Sequence, residues 1–167
     1  LFKIKSYDFI EVKIENERIT RDIVYAELEI NNNPLHIFVN HWPSVWGGKE
    51  QTEYKRLFAA SMLRNYIDEN IKVDENIIIM GDFNASPTDN SVGSVIEGLN
   101  NKSNDKAELV NLMLQLENKL SNIYGKKYKE KIGSGSYNYK GEWGFLDQIM
   151  ISLKMYQGFD SNLILND

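Results

Sequence analysis

The sequence has no cysteine, no apolar run near the ~20 residues that a membrane-spanning helix requires, and no signal peptide. The missing cysteine excludes disulfide bridges and thiolate chemistry, so the redox compartment cannot be read from the sequence. The first residue is Leu1 rather than Met, and we expect the natural start to lie upstream. We expect the protein to be soluble. The sequence does not decide whether it lies in the cytoplasm or in a secreted or periplasmic compartment.

An excess of positive charge is also missing, since the formal net charge is -5. This balance argues against a dedicated basic nucleic-acid binder but is compatible with an enzyme that holds a phosphodiester at a metal site. Hydrophobic residues make up 42% of the chain and can bury a core, so we expect one domain over residues 1–167. Five late lysines form either a solvated loop or a phosphate-steering patch. They are Lys126, Lys127, Lys129, Lys131 and Lys140.

Apolar periodicity predicts a layered α/β fold. Residues 23–30 alternate with a period of two and 35–40 form the next strand, so the two runs predict a hairpin across the turn at 31–34. Residues 50–69 predict a long helix that leads into a strand at 76–80, an order typical of a crossover onto the same sheet. His36 lies out of phase with the apolar positions of its strand and is therefore predicted to lie on the surface.

The remaining segments are predicted from the same signals. Residues 7–14 indicate an early strand, and residues 91–99 and 107–120 indicate helices. Residues 137–143 form an aromatic loop, and residues 146–153 form the last clear strand.

Polar side chains stand at the ends of three predicted strands. Asp82 and Asn84 follow the apolar run that ends at Met80, and on an extended backbone they point to the same side. An ionised Asp accepts a proton from water or binds a hard cation, and Asn84 offers a donor and an acceptor; an Asx turn is the structural alternative. His41 follows the strand at 35–40 and suits proton transfer to a leaving oxygen, or else is a structural histidine.

Asp147 stands at the start of the last predicted strand. A carboxylate there orients a catalytic histidine or holds a metal-bound water, and strand-start capping is the structural alternative. Arg21 and Asp22 open the strand at 23–30 and form either a functional pair or a surface pair. Trp46 and Trp143 lie near motif ends, where they could stack on bases, contact a lipid headgroup region or pack; Asn138 lies in the aromatic loop.

Taken together, these segments resemble the endonuclease/exonuclease/phosphatase superfamily, which includes DNase I-like nucleases, inositol polyphosphate phosphatases and bacterial sphingomyelinases. The resemblance is carried by Asn-His-Trp-Pro-Ser at 40–44, Gly-Asp-Phe-Asn at 81–84 and Leu-Asp-Gln-Ile-Met-Ile-Ser at 146–152. It implies a four-layer α/β sandwich and Mg²⁺- or Mn²⁺-dependent hydrolysis of a phosphoester.

By motif, the resemblance implies four catalytic residues. Asp82 would align the attacking water and is the candidate metal ligand, and Asn84 would hold the scissile phosphate or that water. His41 would stabilise the transition state or assist the leaving group, and Asp147 would orient the histidine of a closing Ser-Asp-His segment. Candidate substrate-binding residues are Arg21, Trp46, Asn138 and Trp143.

The sequence departs from the family pattern at both ends. No metal-binding Glu is found before Arg21, and no histidine follows His41, so the closing Ser-Asp-His is missing. We therefore expect a partial domain that lacks N-terminal and C-terminal strands. The predicted function is a metal-dependent phosphodiesterase or nuclease with nucleic acid as the favoured substrate and no predicted protein partner. The alternatives are a non-catalytic fragment or pseudoenzyme that serves as a binding surface, and a phosphatase- or sphingomyelinase-type member.

Overall fold

The computed structural model describes residues 2–97, 106–125 and 134–158. The strands are β1 Lys3–Ile10, β2 Ile23–Ile30, β3 Asn33–His41, β4 Asn76–Asp82, β5 Leu109–Asn111, β6 Tyr137–Tyr139, β7 Glu142–Gly144 and β8 Asp147–Ser152, and the helices are α1 Glu53–Asn70, α2 Asn90–Glu97, α3 Leu112–Tyr124 and α4 Leu153–Tyr156. Of the late lysines, Lys140 is described, whereas Lys126, Lys127, Lys129 and Lys131 lie outside the described residues.

Six strands form the main sheet, in the order β1-β2-β3-β4-β8-β5. The predicted hairpin is confirmed as β2 and β3, and the predicted crossover is confirmed because β3 and β4 pair in parallel across α1. Antiparallel pairing then adds β8 to β4 and β5 to β8. This order places the carboxyl ends of β3 and β4 beside the amino end of β8.

Helix α1 covers one face of the sheet. Phe38 and Ile79 point from the sheet toward Leu63 and Ile67 of the helix, and all four side chains are fully buried. Gly47 and Gly48, in the turn before α1, both have positive φ, so this turn needs glycine there. This layer fixes the orientation of β3 and β4, whose ends carry the candidate site.

The opposite face of the sheet is covered over only part of its area. Helices α3 and α4 pack Leu112 and Met155 against this face near Ile151. Toward the His41 end, a row of apolar residues on neighbouring strands is exposed or half-buried among the described residues. The row consists of Phe9, Val24, Val39, Met80 and Ile149.

Three predicted elements differ from the structure. The early strand predicted at 7–14 is β1, which spans Lys3–Ile10 and pairs with β2. The helix predicted at 107–120 begins later, because Leu109–Asn111 pairs with β8 as a strand. The Asn111 side chain then accepts hydrogen bonds from the backbone N–H of Met113 and Leu114 and caps the helix that follows. The aromatic loop at 137–143 is a β-hairpin formed by β6 and β7.

The prediction that His36 lies on the surface is wrong, because the side chain is only 4% exposed. His36 shares its strand face with Phe38 and Asn40, which pack toward α1. Leu35 on the other face is buried as well, so β3 is an inner strand that is covered on both faces near His36. Its Nδ1 lies 2.9 Å from the Tyr25 hydroxyl and its Nε2 lies 3.1 Å from Glu75 Oε2. Burial is the main cause that raises the pKa of Tyr25 above its ordinary range.

In the part of the chain that the structure describes, no helix is both long enough and apolar enough to cross a membrane.

Candidate active site

His41, Asp82 and Asp147 lie in one row across three neighbouring strands. The pairing places His41 of β3 opposite Asp82 of β4, and Asp82 opposite Asp147 of β8. Partners in register project from the same face of a sheet, so the three side chains share the face that carries Val39, Met80 and Ile149. The structure thus brings together three of the four predicted catalytic residues at one end of the sheet.

The charged groups of this row are close but accessible. His41 Nε2 lies 3.8 Å from Asp82 Oδ2, and both side chains are more than one third exposed. Asp147 is exposed beside them. The row therefore presents an imidazole and two carboxylates to solvent, where a ligand can reach them.

Asn84 is held against Asp82 and against the chain that follows His41. Its backbone N–H donates to Asp82 Oδ1 at 2.8 Å, and its side-chain Nδ2 donates to the Trp42 carbonyl at 3.0 Å. The φ of Asn84 is 46°, a left-handed conformation that asparagine tolerates. The Asx-type turn therefore coexists with the site, because the same contacts fix Asp82 and leave its Oδ2 facing His41.

Backbone hydrogen bonds join the three strand ends. The Trp42 N–H donates to the Asp82 carbonyl at 2.9 Å, and the Phe83 N–H donates to the Leu146 carbonyl at 2.9 Å. The buried rings of Trp42 and Phe83 contact each other with centroids 4.3 Å apart. The aromatic residues inside the motifs thus serve as the core beneath the polar row.

A buried polar network supports the strand ends from below, and the sequence analysis did not identify it. Gln148 is fully buried, and its Nε2 donates to the carbonyls of Ala85 at 2.9 Å and Phe145 at 2.8 Å. Its Oε1 accepts from Asn111 Nδ2 at 3.0 Å. On the β3 side, Asn40 Oδ1 accepts from Trp42 Nε1 at 3.0 Å. The signal in the sequence was a polar residue at an inward strand position next to His41 and next to Asp147, at 40 and 148.

The loops that follow His41 and Asp82 are joined by an ion pair. Lys49 Nζ lies 2.8 Å from the Asp89 carboxylate, which also accepts from the Ser86 backbone N–H and hydroxyl. Burial acts to raise the pKa of Asp89, but the hydrogen bonds from Lys49 and Ser86 outweigh it and hold that pKa below its ordinary value. The ionised carboxylate therefore stabilises the arrangement of the two loops.

Two of the predicted substrate-binding residues lie beside the row rather than in it. Arg21 and Trp46 line a common cavity next to Pro43 and Ser44 in the chain after His41. Asn138 and Trp143 lie opposite each other in the β6–β7 hairpin and are exposed. Among the described residues, no side-chain hydrogen bond or ion pair links any of the four to the row.

The Ser136 hydroxyl holds the β6–β7 hairpin close to Asp147. Ser136 Oγ accepts hydrogen bonds from the backbone N–H of Leu146 at 3.1 Å and of Asp147 at 3.0 Å. Asn138 uses its Oδ1 to accept from the Gly141 N–H and so stabilises the turn of the hairpin. The hairpin therefore stands at the Asp147 side of the site.

The residues present do not make a metal site by themselves. Within residues 2–97, 106–125 and 134–158, no three His, Cys, Asp or Glu side chains are grouped to hold an ion. Asp82 offers a carboxylate of the kind that Mg²⁺ and Mn²⁺ prefer, but a hard cation takes about six oxygen ligands. The described residues alone therefore do not complete the coordination of such a cation.

Comparison with known proteins gives the family and the fold. The sequence profile of the endonuclease/exonuclease/phosphatase family matches residues 1–163. No curated protein sequence matches the chain.

Several solved structures share the fold at low sequence identity. D. rerio TDP2 humanised by 14 mutations is 15% identical, with a TM-score of 0.57 over 90% of this chain and 52% of that one. The human Nocturnin catalytic domain is 16% identical, with a TM-score of 0.57 over 91% and 48%. A mannosyl-6-phosphatase from Bacteroides thetaiotaomicron is 13% identical, with a TM-score of 0.55 over 91% and 53%.

The chain spans about half the length of these structures. The α/β fold predicted from the sequence, of the DNase I-like type, is confirmed by them. Because the family profile covers nearly all of its residues, the chain belongs to the endonuclease/exonuclease/phosphatase family.

Proposed function

We propose that the protein is a phosphoester hydrolase, and specifically a phosphodiesterase in which water attacks phosphorus. The observation that carries the proposal is the register of His41, Asp82 and Asp147 across three neighbouring strands. Phosphoryl transfer needs positioned charge rather than a covalent partner. The row supplies an imidazole and two carboxylates, and Asn84 adds an amide next to Asp82.

Each side chain has a distinct role in this mechanism. Asp82 accepts a proton from the attacking water as the new P–O bond forms, and the Asn84 N–H keeps its carboxylate in place. His41 gives a proton to the leaving oxygen as the old P–O bond breaks. Asn84 donates one amide hydrogen to the Trp42 carbonyl and has a second for a phosphoryl oxygen.

Asp147 and a divalent cation have supporting roles in this proposal. Asp147 adds negative charge beside Asp82 and is proposed to orient an imidazole or a bound water. Mg²⁺ or Mn²⁺ remains a prediction from the family, and Asp82 is the ligand that the described residues offer.

The test is hydrolysis of bis-p-nitrophenyl phosphate and of plasmid DNA with Mg²⁺, with Mn²⁺ or with EDTA. We expect turnover with metal, its loss in EDTA, and a fall of at least about 100-fold in Asp82→Ala. Asp74→Ala is the matched control, because Asp74 is an exposed carboxylate at the other end of β4. Turnover of Asp82→Ala equal to that of Asp74→Ala would contradict the assignment.

A second candidate is a binding protein without catalysis. It is favoured by one observation, that no potential metal ligands are grouped in threes in the described part of the chain. Binding of a phosphodiester without turnover in either metal would support this candidate. Turnover of p-nitrophenyl phosphate but not of the diester would instead indicate a phosphatase.

A further inference from the structure

A cavity of about 700 Å³ lies beside the chain that follows His41. Its walls come from the loop between β1 and β2, from residues 43–47 and from the first turn of α1. The Trp42 backbone, bonded to Asp82 and Asn84, leads directly into the 43–47 wall. This wall of the cavity thus begins at Pro43, two residues after His41 in the chain.

The wall formed by the β1–β2 loop is fixed by contacts to α1. Glu17 accepts a hydrogen bond from Lys55 Nζ at 2.7 Å and another from the Tyr54 hydroxyl. At the base of the loop, the Val12 side chain is buried and its N–H donates to Asp22. A ligand would thus meet a wall already in place and would not have to order the loop at an entropic cost.

The lining is positively charged in a chain whose net charge is negative. Its charged residues are Arg18, Arg21 and Lys55 against the single acid Glu17, which leaves an excess of two positive charges. Lys55 is already paired with Glu17. Within the described ranges, neither arginine side chain forms an ion pair or a hydrogen bond, so two guanidinium groups remain for an anionic ligand.

The same cavity is lined by an aromatic side chain that is almost fully exposed. Trp46 is 88% exposed and Ile19 is 98% exposed, and both line the cavity. Neither burial nor packing accounts for an indole in this position. An exposed indole provides a face on which a nucleobase stacks, and arginines next to it suit the phosphates on either side of that base.

We infer that this cavity binds a nucleotide of a single strand next to the scissile phosphate, with the base on Trp46 and a phosphate against Arg18 and Arg21. This inference rests on the proposed function, because it names the substrate class of the same site. A lipid surface fits less well. A membrane-binding face needs a continuous protruding apolar surface, whereas here the apolar residues alternate with arginines around a concavity.

The experiment measures the anisotropy of a fluorescein-labelled oligothymidylate titrated with the chain in EDTA, where metal-dependent hydrolysis cannot consume the probe. We expect Trp46→Ala to weaken binding by about tenfold and Trp46→Phe, which keeps an aromatic face, to stay within about twofold. Tyr156→Ala is the control, because Tyr156 is an exposed aromatic on α4, away from the cavity lining.

The salt dependence of the affinity tests the arginine contacts to phosphate, and an oligomer without bases tests the stacking on Trp46. Arg18→Gln and Arg21→Gln should each reduce the slope of log affinity against log salt by about 0.7, as expected for one phosphate contact on a single strand. An abasic oligomer should bind wild-type and Trp46→Ala chains equally.

Three results would overturn the inference. The first is that Trp46→Ala leaves the affinity for the oligomer unchanged. The second is that the wild-type chain does not bind the oligomer. The third is that the chain binds phosphatidylcholine/phosphatidylglycerol vesicles and the oligomer does not compete with them. The outcome is separate from that of the hydrolysis test. Binding that depends on Trp46 without turnover would support the cavity and remove the catalytic proposal, and turnover without such dependence would do the reverse.

Discussion

Gly81 occupies a position in β4 that has no room for a side chain. A Cβ atom there would lie 2.0 Å from the Asn40 carbonyl oxygen, and φ is 129°. The glycine thus allows the ends of β3 and β4 to approach closely enough for His41 to face Asp82.

We predict that Gly81→Ala lowers the free energy of unfolding by about 2–3 kcal/mol, because the clash is with backbone and the conformation is strained. Urea denaturation provides the measurement. Gly93→Ala is the matched control, since Gly93 lies in α2 with nothing within 4 Å of its added Cβ. The control should gain up to about 1 kcal/mol, and a Gly81→Ala chain as stable as the control would refute the close approach.

The lowered pKa of Asp89 predicts that this residue stabilises the fold in a pH-dependent way. Its pKa is lower in the folded chain than its ordinary value, so the stabilisation is present at neutral pH and is lost as the pH falls through the folded pKa. We expect Asp89→Asn to lower the free energy of unfolding by about 1–3 kcal/mol at pH 7. The difference from wild type should shrink as the pH falls below about 4.

Urea unfolding of both chains from pH 7 downward checks this prediction. The exposed Asp74→Asn control should change stability by less than about 0.5 kcal/mol. A wild-type and Asp89→Asn difference that stays constant with pH would show that the carboxylate charge is not what joins the two loops.

Among the elements, α1 and α2 are joined by one buried guanidinium. Arg64 is nearly fully buried, and its Nη1 donates to the carbonyls of Val95 at 3.3 Å and Ala107 at 2.9 Å. Its Nη2 donates to Asp68 at 2.5 Å. A lysine at this position could not reach three separate acceptors from one planar group.

We therefore predict that Arg64→Lys lowers the free energy of unfolding by about 2–4 kcal/mol, since buried acceptors lose their donors. Arg18→Lys is the control, because Arg18 is exposed and should tolerate lysine. Thermal unfolding of the two variants gives the comparison. Equal midpoints would show that the guanidinium geometry does not matter to the packing of α1 on α2.

Some of the helices and strands could be predicted from the sequence and others could not. The sequence predicts β2, β3, α1 and β4, because each carries an apolar periodicity or an apolar run that the core buries. β5 was missed because three residues of strand run without a break into α3, and only the Asn111 cap separates them. His36 was misplaced because α1 covers its face of β3 and a second layer covers part of the other face, so a polar residue at this position is buried on either side.

At the scale of the whole molecule, the site depends on strand order more than on motif spacing. The motifs around His41, Asp82 and Asp147 were evident in the sequence, and the sheet order explains why they meet. Gln148 and Asn111 were not predicted, because a polar residue in a strand shows its hydrogen-bond partners only after the sheet is formed. The cavity at Trp46 likewise depends on a contact between distant segments, Glu17 with α1.

The family match spans nearly all of the chain, while the chain spans about half of the structures that share its fold. The exposed apolar row on the His41 side of the sheet belongs to the same face as the proposed catalytic row. We expect the activity proposed for the chain to depend on the residues at this end of the sheet.

The most direct test of the account is a double-mutant cycle on His41 and Asp82 with diester hydrolysis as the readout. His41→Ala should lower kcat/KM by about 10²–10⁴-fold, and Asp82→Ala should lower it to a similar degree. Because both groups act on the same displacement at phosphorus, the loss of either should disable that step, and the double variant should be little slower than either single variant. A His41→Ala chain that keeps wild-type kcat/KM, or losses that simply multiply, would contradict the claim that the row acts as one catalytic site.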